Sequence, residues 1–224
     1  MMMLRREYKK TANSQRAAKR GIQKIWCAVL LGMLPWSASA TALDVFLANI
    51  EQQTLQSDFI ITITEEAAQP MNYPGTIVMQ GNRFLLKMFD TEAAYDGETL
   101  YIYNISNDEL TLTTPSEEEL SEANPFLYAK ALMKVCSAIE RPTKDPTRVV
   151  IVLTPKDQTA GIQKFTLHLK RTNNDVRKEE YLPLSVEIKE GKQLTTLTLK
   201  QPKYTTEETI YRLNYPEAYL NDLR

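Results

Sequence analysis

The chain has 224 residues, 43% of them apolar, with 27 basic and 28 acidic side chains and a formal net charge of −1. This composition argues against a disordered chain and a multi-span membrane protein, and the balanced charge argues against nucleic-acid binding. The charge is divided unevenly along the chain. Residues 1–40 hold eight bases and one acid, which leaves 19 bases, 27 acids and a net charge of −8 on residues 41–224.

Residues 1–40 have the layout of a secretory signal peptide. A basic segment precedes the apolar run from Ile25 to Trp36, and small residues follow at Ala38 and Ala40. A membrane-spanning helix needs about 20 apolar residues, and this run is shorter. We therefore predict cleavage after Ala40, export from the cytoplasm, and one domain over residues 41–224. Cys136 is then the single cysteine left, so an intramolecular disulfide is not expected.

The first half of this domain predicts a helix followed by five strands. Apolar residues at helical spacing, from Leu43 to Ile50, predict a helix that ends near Gln56. Alternating apolar residues then predict strands, and Asp96-Gly97 predicts a hairpin turn between the strand at 84–88 and the next one. The five strands centre on Phe59–Ile63, Ile77–Met79, Phe84–Met88, Thr99–Tyr103 and Leu110–Leu112.

Helical signals interrupt the strands in the middle of the chain. Ser116 and Glu119 have the spacing of a capping box, and Asn124-Pro125 is a favourable start for a helix. The apolar spacing predicts that this second helix continues to just before Pro142, with its stripe formed by Phe126, Ala129, Met133, Cys136 and Ile139.

Five or six further strands are predicted after Pro142. The clearest is one-sided, with Phe165, Leu167 and Leu169 alternating with polar residues. The others centre on Val149–Leu153, Val186–Ile188, Leu197–Leu199 and Ile210–Leu213. The order predicts an α+β fold, in which about 10–11 antiparallel strands curl strongly into an open or partly closed barrel with helices on one side.

Catalytic chemistry is not indicated by the sequence. His168 is the single histidine and falls on the polar face of its strand, and Cys136 lies in an apolar stripe. Glycine-rich phosphate loops and zinc-ligand spacings do not occur. We therefore predict a protein that is not an enzyme, with no catalytic residues, no metal and no cofactor.

The inward positions of the predicted strands and helix carry large, flexible or aromatic side chains. Such residues fill a close-packed core, or they line a cavity that adapts to apolar guests. Periodicity alone does not distinguish these two arrangements.

The order of short motifs resembles the LolA family of periplasmic carriers of outer-membrane lipoproteins. The resemblance extends from about Leu43 to Asn221 and includes a hairpin, Tyr95 to Asn104, similar to the family's Asp-Gly-Lys-Thr-Leu-Trp-x-Tyr-Asn. Its other motifs are Ser57-Asp58-Phe59, Gly75-Thr76-Ile77, Asn124-Pro125-Phe126, Val152 to Lys156, Gln163 to Thr166, and a closing strand at Tyr211 to Pro216.

The resemblance implies an unclosed antiparallel barrel, capped by helices over a hydrophobic cavity that shields lipoprotein acyl chains. It also implies a monomer that exchanges cargo with an inner-membrane lipoprotein-releasing transporter and an outer-membrane acceptor. The alternative is a binding module of the same fold for another lipid or amphiphile. The predicted cavity-lining residues are Phe59, Ile61, Met79, Phe84, Leu86, Met88, Leu100, Phe126, Met133, Phe165 and Leu167.

One departure from the family concerns the latch of the cavity. Well-known members carry an Arg-Pro pair before the third strand, and this arginine bonds to the lid helix. Gly81-Asn82 stands at the matching place here, with Arg83 further on. The resemblance therefore predicts a latch that is absent or rebuilt.

Overall fold

The structure is a computed structural model that describes residues 41–66, 68–156, 162–172 and 179–224. The predicted signal peptide lies outside the described residues. Within these ranges the helices are α1 (Ala42–Gln52), α2 (Glu117–Ala123) and α3 (Pro125–Leu132). The strands are β1 (Thr54–Glu65), β2 (Met71–Gln80), β3 (Arg83–Met88), β4 (Thr91–Tyr95), β5 (Leu100–Asn104), β6 (Glu109–Thr113), β7 (Cys136–Pro142), β8 (Arg148–Pro155), β9 (Ile162–Arg171), β10 (Tyr181–Glu190), β11 (Gln193–Thr205) and β12 (Tyr219–Asp222).

All these strands belong to one sheet, in the order β12-β6-β5-β4-β3-β2-β1-β11-β10-β9-β8-β7. Neighbouring strands are antiparallel except β12 and β6, which are parallel. The first strand is central because it pairs with both β2 and β11. In the described part of the chain β7 and β12 are the two edges, so the sheet is not closed.

The predicted large antiparallel sheet with few helices is confirmed, with twelve described strands in place of the expected 10–11. One extra strand is β4, which sequence patterning did not separate from its neighbours. The Asp96-Gly97 turn therefore joins β4 to β5, whereas the prediction joined it to the strand at 84–88. Short strands such as β4, with two alanines, give little alternation to detect.

The start of α1 is fixed by a capping box. Thr41 accepts a hydrogen bond from the backbone of Asp44, and the Asp44 side chain accepts one from the backbone of Thr41. The helix ends at Gln52, earlier than the predicted Gln56, because the chain pairs with β11 from Thr54 onward. The predicted capping box of α2 and the Asn124 cap of α3 are also present.

The predicted long helix up to Pro142 is wrong in its second half. α3 ends at Leu132, Met133 caps it, and Cys136 and Ile139 lie on β7 instead. β7 is an edge strand in which residues 137–142 are exposed, so it has no alternating pattern. Its pairing with the apolar strand β8 outweighs the helical spacing of its few apolar residues.

The predicted closing strand is also displaced. Residues 206–215 are not in a strand, and the final strand is β12, which runs parallel to β6. Leu213 and Ala218 pack against a small cluster formed by Ala94, Tyr101, Leu110 and Leu112. This segment is therefore anchored by side chains and not by a ladder of backbone hydrogen bonds.

The two faces of the sheet differ in what covers them. Adjacent residues of a strand point to opposite faces, and Tyr95 belongs to the main core while Ala94 belongs to the small cluster. We call the face that packs against α1 and α3 the helix face, and the other the outer face. On the helix face, the rings of Phe46 and Phe126 meet edge to face, 5.8 Å apart.

Candidate ligand-binding cavity

A cavity of about 980 Å³ lies on the helix face, between strands β1–β4, β10 and β11 and helices α2 and α3. This volume is at the upper end of the roughly 300–1,000 Å³ of small-molecule pockets. Twelve of its lining residues are apolar: Phe59, Ile61, Ile77, Phe84, Leu86, Met88, Ala93, Tyr128, Ala131, Val186, Ile188 and Leu197. The polar ones are Glu117, Glu118, Ser121, Glu190 and Thr195.

Strand alternation and register bring these apolar residues together. Phe84, Leu86 and Met88 occupy every second position of β3 and therefore share one face. Across the strands, Leu86 lies opposite both Ile77 and Ala93. On the other side of β1, Val186 pairs with Leu197. The cavity wall is thus a continuous apolar surface formed by strands distant in sequence.

Gly75 permits the close approach of one aromatic ring to this wall. It pairs with Phe59 on β1, and a Cβ atom at Gly75 would lie 2.4 Å from Cζ of Phe59 and 2.5 Å from the backbone oxygen of Lys87. Both distances are too short for any side chain. Glycine therefore lets the Phe59 ring extend across β2 along the cavity wall.

Several lining side chains are only half-buried, although they are apolar. They are Ile61, Leu86, Met88, Ala93, Tyr128, Ala131 and Ile188. Apolar area left accessible to water is unfavourable by roughly 25 cal/mol per Å². An apolar ligand that covers these side chains would recover this free energy.

The helix face beside the cavity is filled. Phe46, Met79 and Phe126 are completely buried there, and the ring of Tyr128 meets that of Phe165 edge to face at 6.2 Å. Asn124 is buried at the α2–α3 junction, where its side-chain oxygen accepts a hydrogen bond of 3.0 Å from the backbone of Phe126. The helices therefore pack on a close-packed core that lies next to the cavity.

Acidic residues border the cavity on two sides. Glu117 and Glu118 come from the first turn of α2, and Glu190 comes from the end of β10. All three are exposed. The next residue, Glu119, instead stabilises the helix start, since hydrogen bonds from Ser116 hold the pKa of its carboxyl below the usual value. The cavity therefore has apolar walls and a charged, hydrated border.

The residues of the predicted latch have other partners in the structure. Arg83 donates a 2.8 Å hydrogen bond to Gln80, and its guanidinium lies 5.0 Å from the ring centre of Tyr211. The backbone of Gly81 donates to the carbonyl of Ile50, with a φ of +61°. The β2–β3 turn is thus tied to the end of α1. A different pair, Lys130 and Glu51 at 2.6 Å, joins α3 to α1.

Sequence reasoning located part of the cavity lining. Five of the eleven predicted residues line the cavity, namely Phe59, Ile61, Phe84, Leu86 and Met88. Five others are buried in the neighbouring core, namely Met79, Leu100, Phe126, Phe165 and Leu167. Met133 is half-buried and packs against that core. The binding of a ligand by any of these residues stays a prediction.

Seven apolar lining residues were missed: Ile77, Ala93, Tyr128, Ala131, Val186, Ile188 and Leu197. Ile77, Val186, Ile188 and Leu197 show the same alternation as the predicted residues. Their position at the cavity depends on where α2 and α3 lie over the sheet, which strand alternation does not encode. Ala93 and Ala131 cannot be recognised as lining residues from the sequence, because they contribute to the cavity through the space that a small side chain leaves.

The groups with potential reactivity lie outside the cavity lining. Nε2 of His168 is 3.4 Å from a carboxylate oxygen of Glu187, without hydrogen-bond geometry. Cys136 is buried, and desolvation raises the pKa of its thiol, which disfavours the reactive thiolate. Within the described ranges no three His, Cys, Asp or Glu side chains are grouped as metal ligands. None of the helices described there is long and apolar enough to cross a membrane.

Comparison with known proteins shows the fold alone. No family model and no curated protein matches the chain. Among solved structures, an uncharacterised conserved protein from Thermus thermophilus matches with a TM-score of 0.53 at 11% identity, over 80% of this chain and 96% of that one. This match shows that the two proteins share a fold.

Two further solved structures match with lower TM-scores. A LolA superfamily protein from Nitrosomonas europaea matches with a TM-score of 0.40 at 13% identity, over 76% of this chain and 96% of that one. The lipoprotein LppX from Mycobacterium tuberculosis matches with 0.35 at 11% identity, over 76% and 99%. A protein of the superfamily that the motifs resemble is thus one of the structures similar to this chain.

Proposed function

We propose that this protein is a carrier that binds acyl chains in the cavity, and that its activity is binding and not catalysis. The observation that carries the proposal is the cavity itself, about 980 Å³ in volume and walled by twelve apolar side chains. Half-buried lining side chains such as Leu86 and Ile188 are shielded from water when an apolar chain covers them, and this lowers the free energy of the complex.

The energetics suit an acyl chain as the ligand. Each methylene transferred from water to an apolar site is worth about 0.8 kcal/mol, so a long chain crosses water only when it is shielded. The wall contains Met88, whose unbranched side chain adapts to a flexible guest, among aliphatic and aromatic side chains that supply apolar area. The exposed glutamates at the border allow a polar head group to stay in water.

We further propose that the cargo is a lipoprotein, carried through the periplasm from the inner to the outer membrane. The sequence motifs resembling the LolA family and the predicted signal peptide support this assignment. In this proposal the sheet acts as an unclosed barrel around the chains. An inner-membrane releasing transporter and an outer-membrane acceptor would be the partners of a monomeric carrier.

The experiment is a release assay with inner-membrane vesicles that contain a labelled lipoprotein. Wild-type protein should recover the lipoprotein in the soluble fraction. Ile188→Glu puts a charge on the cavity wall and should reduce the amount of lipoprotein recovered at least tenfold. Thr196→Glu is the matched control, because it alters a half-buried residue between Thr195 and Leu197 that points to the outer face.

The identity of copurifying lipids tests the finer assignment separately. Mass spectrometry of wild-type protein from its native host should detect lipoprotein acyl chains. A different amphiphile, bound by wild type and lost in Ile188→Glu, would replace the lipoprotein assignment and keep the cavity as the site. Recovery that is equal in wild type and Ile188→Glu would contradict the cavity proposal itself.

A further inference from the structure

A patch of apolar side chains is exposed at the end of the sheet where β2 begins. Met71, Phe89 and Ile105 are 46%, 57% and 42% exposed, and Tyr73 is half-buried beside them. They come from the start of β2, the β3–β4 turn and the residue after β5. We call these four residues the apolar lip.

Side-chain contacts join three residues of the apolar lip, and a backbone hydrogen bond ties Ile105 to the same turn. The rings of Tyr73 and Phe89 meet edge to face with centres 4.9 Å apart. The Tyr73 hydroxyl donates to the sulfur of Met71 at 3.2 Å. The backbone of Ile105 donates a 2.8 Å hydrogen bond to Asp90, the residue that follows Phe89. The β3–β4 turn therefore holds the patch together.

The apolar lip continues the wall of the cavity. Residues directly opposite in an antiparallel pair share a face, and Tyr73 lies opposite Ile61, which lines the cavity. Met71 lies opposite Ile63 in the same register. Phe89 joins this surface through its ring contact with Tyr73. An apolar path thus leads from the cavity to the end of the sheet.

Phe89 has a backbone conformation that disfavours phenylalanine. Met88 pairs with Thr91, so Phe89 and Asp90 form a two-residue hairpin loop, in which glycine or asparagine is preferred. Phe89 has a φ of +54°, in the left-handed region, and its side chain is still more than half exposed. Folding therefore gains little from this aromatic residue at a conformationally costly position.

We infer that the apolar lip inserts into the head-group region of a lipid bilayer, so that acyl chains pass between a leaflet and the cavity without crossing water. This inference rests on the proposed function. Aromatic and flexible apolar side chains on a protruding turn suit shallow insertion. Four side chains are too few for a specific protein interface, which buries about 1,200 Å² or more.

The charges around the apolar lip specify the kind of bilayer. Both signs of charge surround the lip: Asp90 lies in the turn itself and Glu65 ends strand β1, while Lys87 and Lys200 line the same surface pocket as Phe89. Lys87 is paired with Glu92, and Glu66 is paired with Lys192. Residues 41–224 carry a net charge of −8, and we therefore expect a zwitterionic surface, because anionic lipids would repel the protein as a whole.

The test is flotation with zwitterionic phosphatidylcholine–phosphatidylethanolamine vesicles, using protein recovered from the envelope of expressing cells with the same N-terminus in every variant. Phe89→Asn should reduce the vesicle-bound fraction about tenfold and slow the transfer of a fluorescent fatty acid to vesicles. Asparagine tolerates a positive φ, so this variant should unfold at the same or a higher urea concentration. Ile210→Asn is the control, since Ile210 is 78% exposed and lies outside the lip.

Binding of the fluorescent fatty acid in solution separates the two proposals. Phe89→Asn should bind it as wild type does, because its cavity is unchanged. Flotation that is equal in Phe89→Asn and wild type would overturn the lip inference and leave the carrier proposal standing. Absence of wild-type flotation, or flotation that requires anionic phosphatidylglycerol, would also overturn it. If wild type binds no fatty acid in solution, both proposals fail.

Discussion

The helix face of the sheet has a filled part and an open part. In the filled part, Phe46 of α1 and Phe126 of α3 are completely buried. In the open part, Leu86 and Ile188 are half-buried around a cavity of about 980 Å³. Both parts contain strands with the same apolar alternation, and β2 contributes Met79 to the first part and Ile77 to the second. The difference therefore lies in what covers the strands.

The boundary between the two parts crosses one helix. On α3, Ala129 is completely buried in the main core, whereas Ala131 is half-buried and lines the cavity. Large side chains fill the space under the first alanine, and the space near the second stays open. A helix only eight residues long thus both stabilises the fold and borders the candidate site.

Removal of a large side chain from the filled part should have the largest effect on stability. Phe126→Ala should lower the free energy of unfolding by about 3–5 kcal/mol, because it leaves a cavity in a close-packed region. Urea unfolding measures this as a lower midpoint with an unchanged slope. A loss below about 1 kcal/mol would show that the region around Phe126 is not filled.

Replacement of each of two alanines on α3 by leucine should distinguish the filled part from the open part most clearly. Ala129→Leu should lower the free energy of unfolding by about 1–3 kcal/mol, since a filled core has no room for added atoms. Ala131→Leu should change it by less than about 1 kcal/mol and weaken acyl-chain binding at least tenfold, because its three added carbons occupy cavity space and each methylene of the ligand that is displaced costs about 0.8 kcal/mol. Urea unfolding and fluorescent fatty-acid titration measure both quantities. Equal destabilisation by the two variants would contradict an open space beside Ala131.

The outer face should show a smaller, pH-dependent effect. The Tyr215 hydroxyl donates a 2.6 Å hydrogen bond to the Glu92 carboxylate, and this bond raises the pKa of Tyr215 to about 12. A raised pKa in the folded state gives stability that is complete below pH 10 and is lost as the pH rises through about 12. Tyr215→Phe should therefore lower the unfolding free energy by about 0.5–1 kcal/mol at pH 8.

This difference between Tyr215→Phe and wild type should disappear near pH 12, as followed by urea unfolding across the alkaline range. Tyr219→Phe is the control, at a tyrosine that is 72% exposed on β12. Its unfolding free energy should match that of wild type at every pH. A difference for Tyr215→Phe that is constant with pH would exclude the hydrogen bond as its cause.

The sequence predicts strands well where one face is buried. Phe165, Leu167 and Leu169 alternate as expected and are all buried on β9. Edge strands are predicted poorly, because their burial is nearly uniform. Only Cys136 is buried on β7, so the helical spacing of Cys136 and Ile139 was the stronger signal.

The candidate site is harder to predict than the fold. Phe84 and Met79 both alternate on strands, yet only Phe84 lines the cavity, while Met79 is enclosed beside Asn124. The choice depends on where α2 and α3 lie over the sheet, which strand periodicity does not encode. The same limit explains why Phe126 was predicted as a lining residue and lies in the core.

The central claim is that the open part of the helix face binds acyl chains, and a matched pair of variants tests it most directly. Leu86 lines the cavity, and the adjacent Leu85 is half-buried on the outer face, against the small cluster. We expect Leu86→Glu to weaken fluorescent fatty-acid binding at least tenfold, and Leu85→Glu to bind as wild type, with similar urea midpoints for both variants. Equal fatty-acid affinity in wild type and Leu86→Glu would contradict the claim.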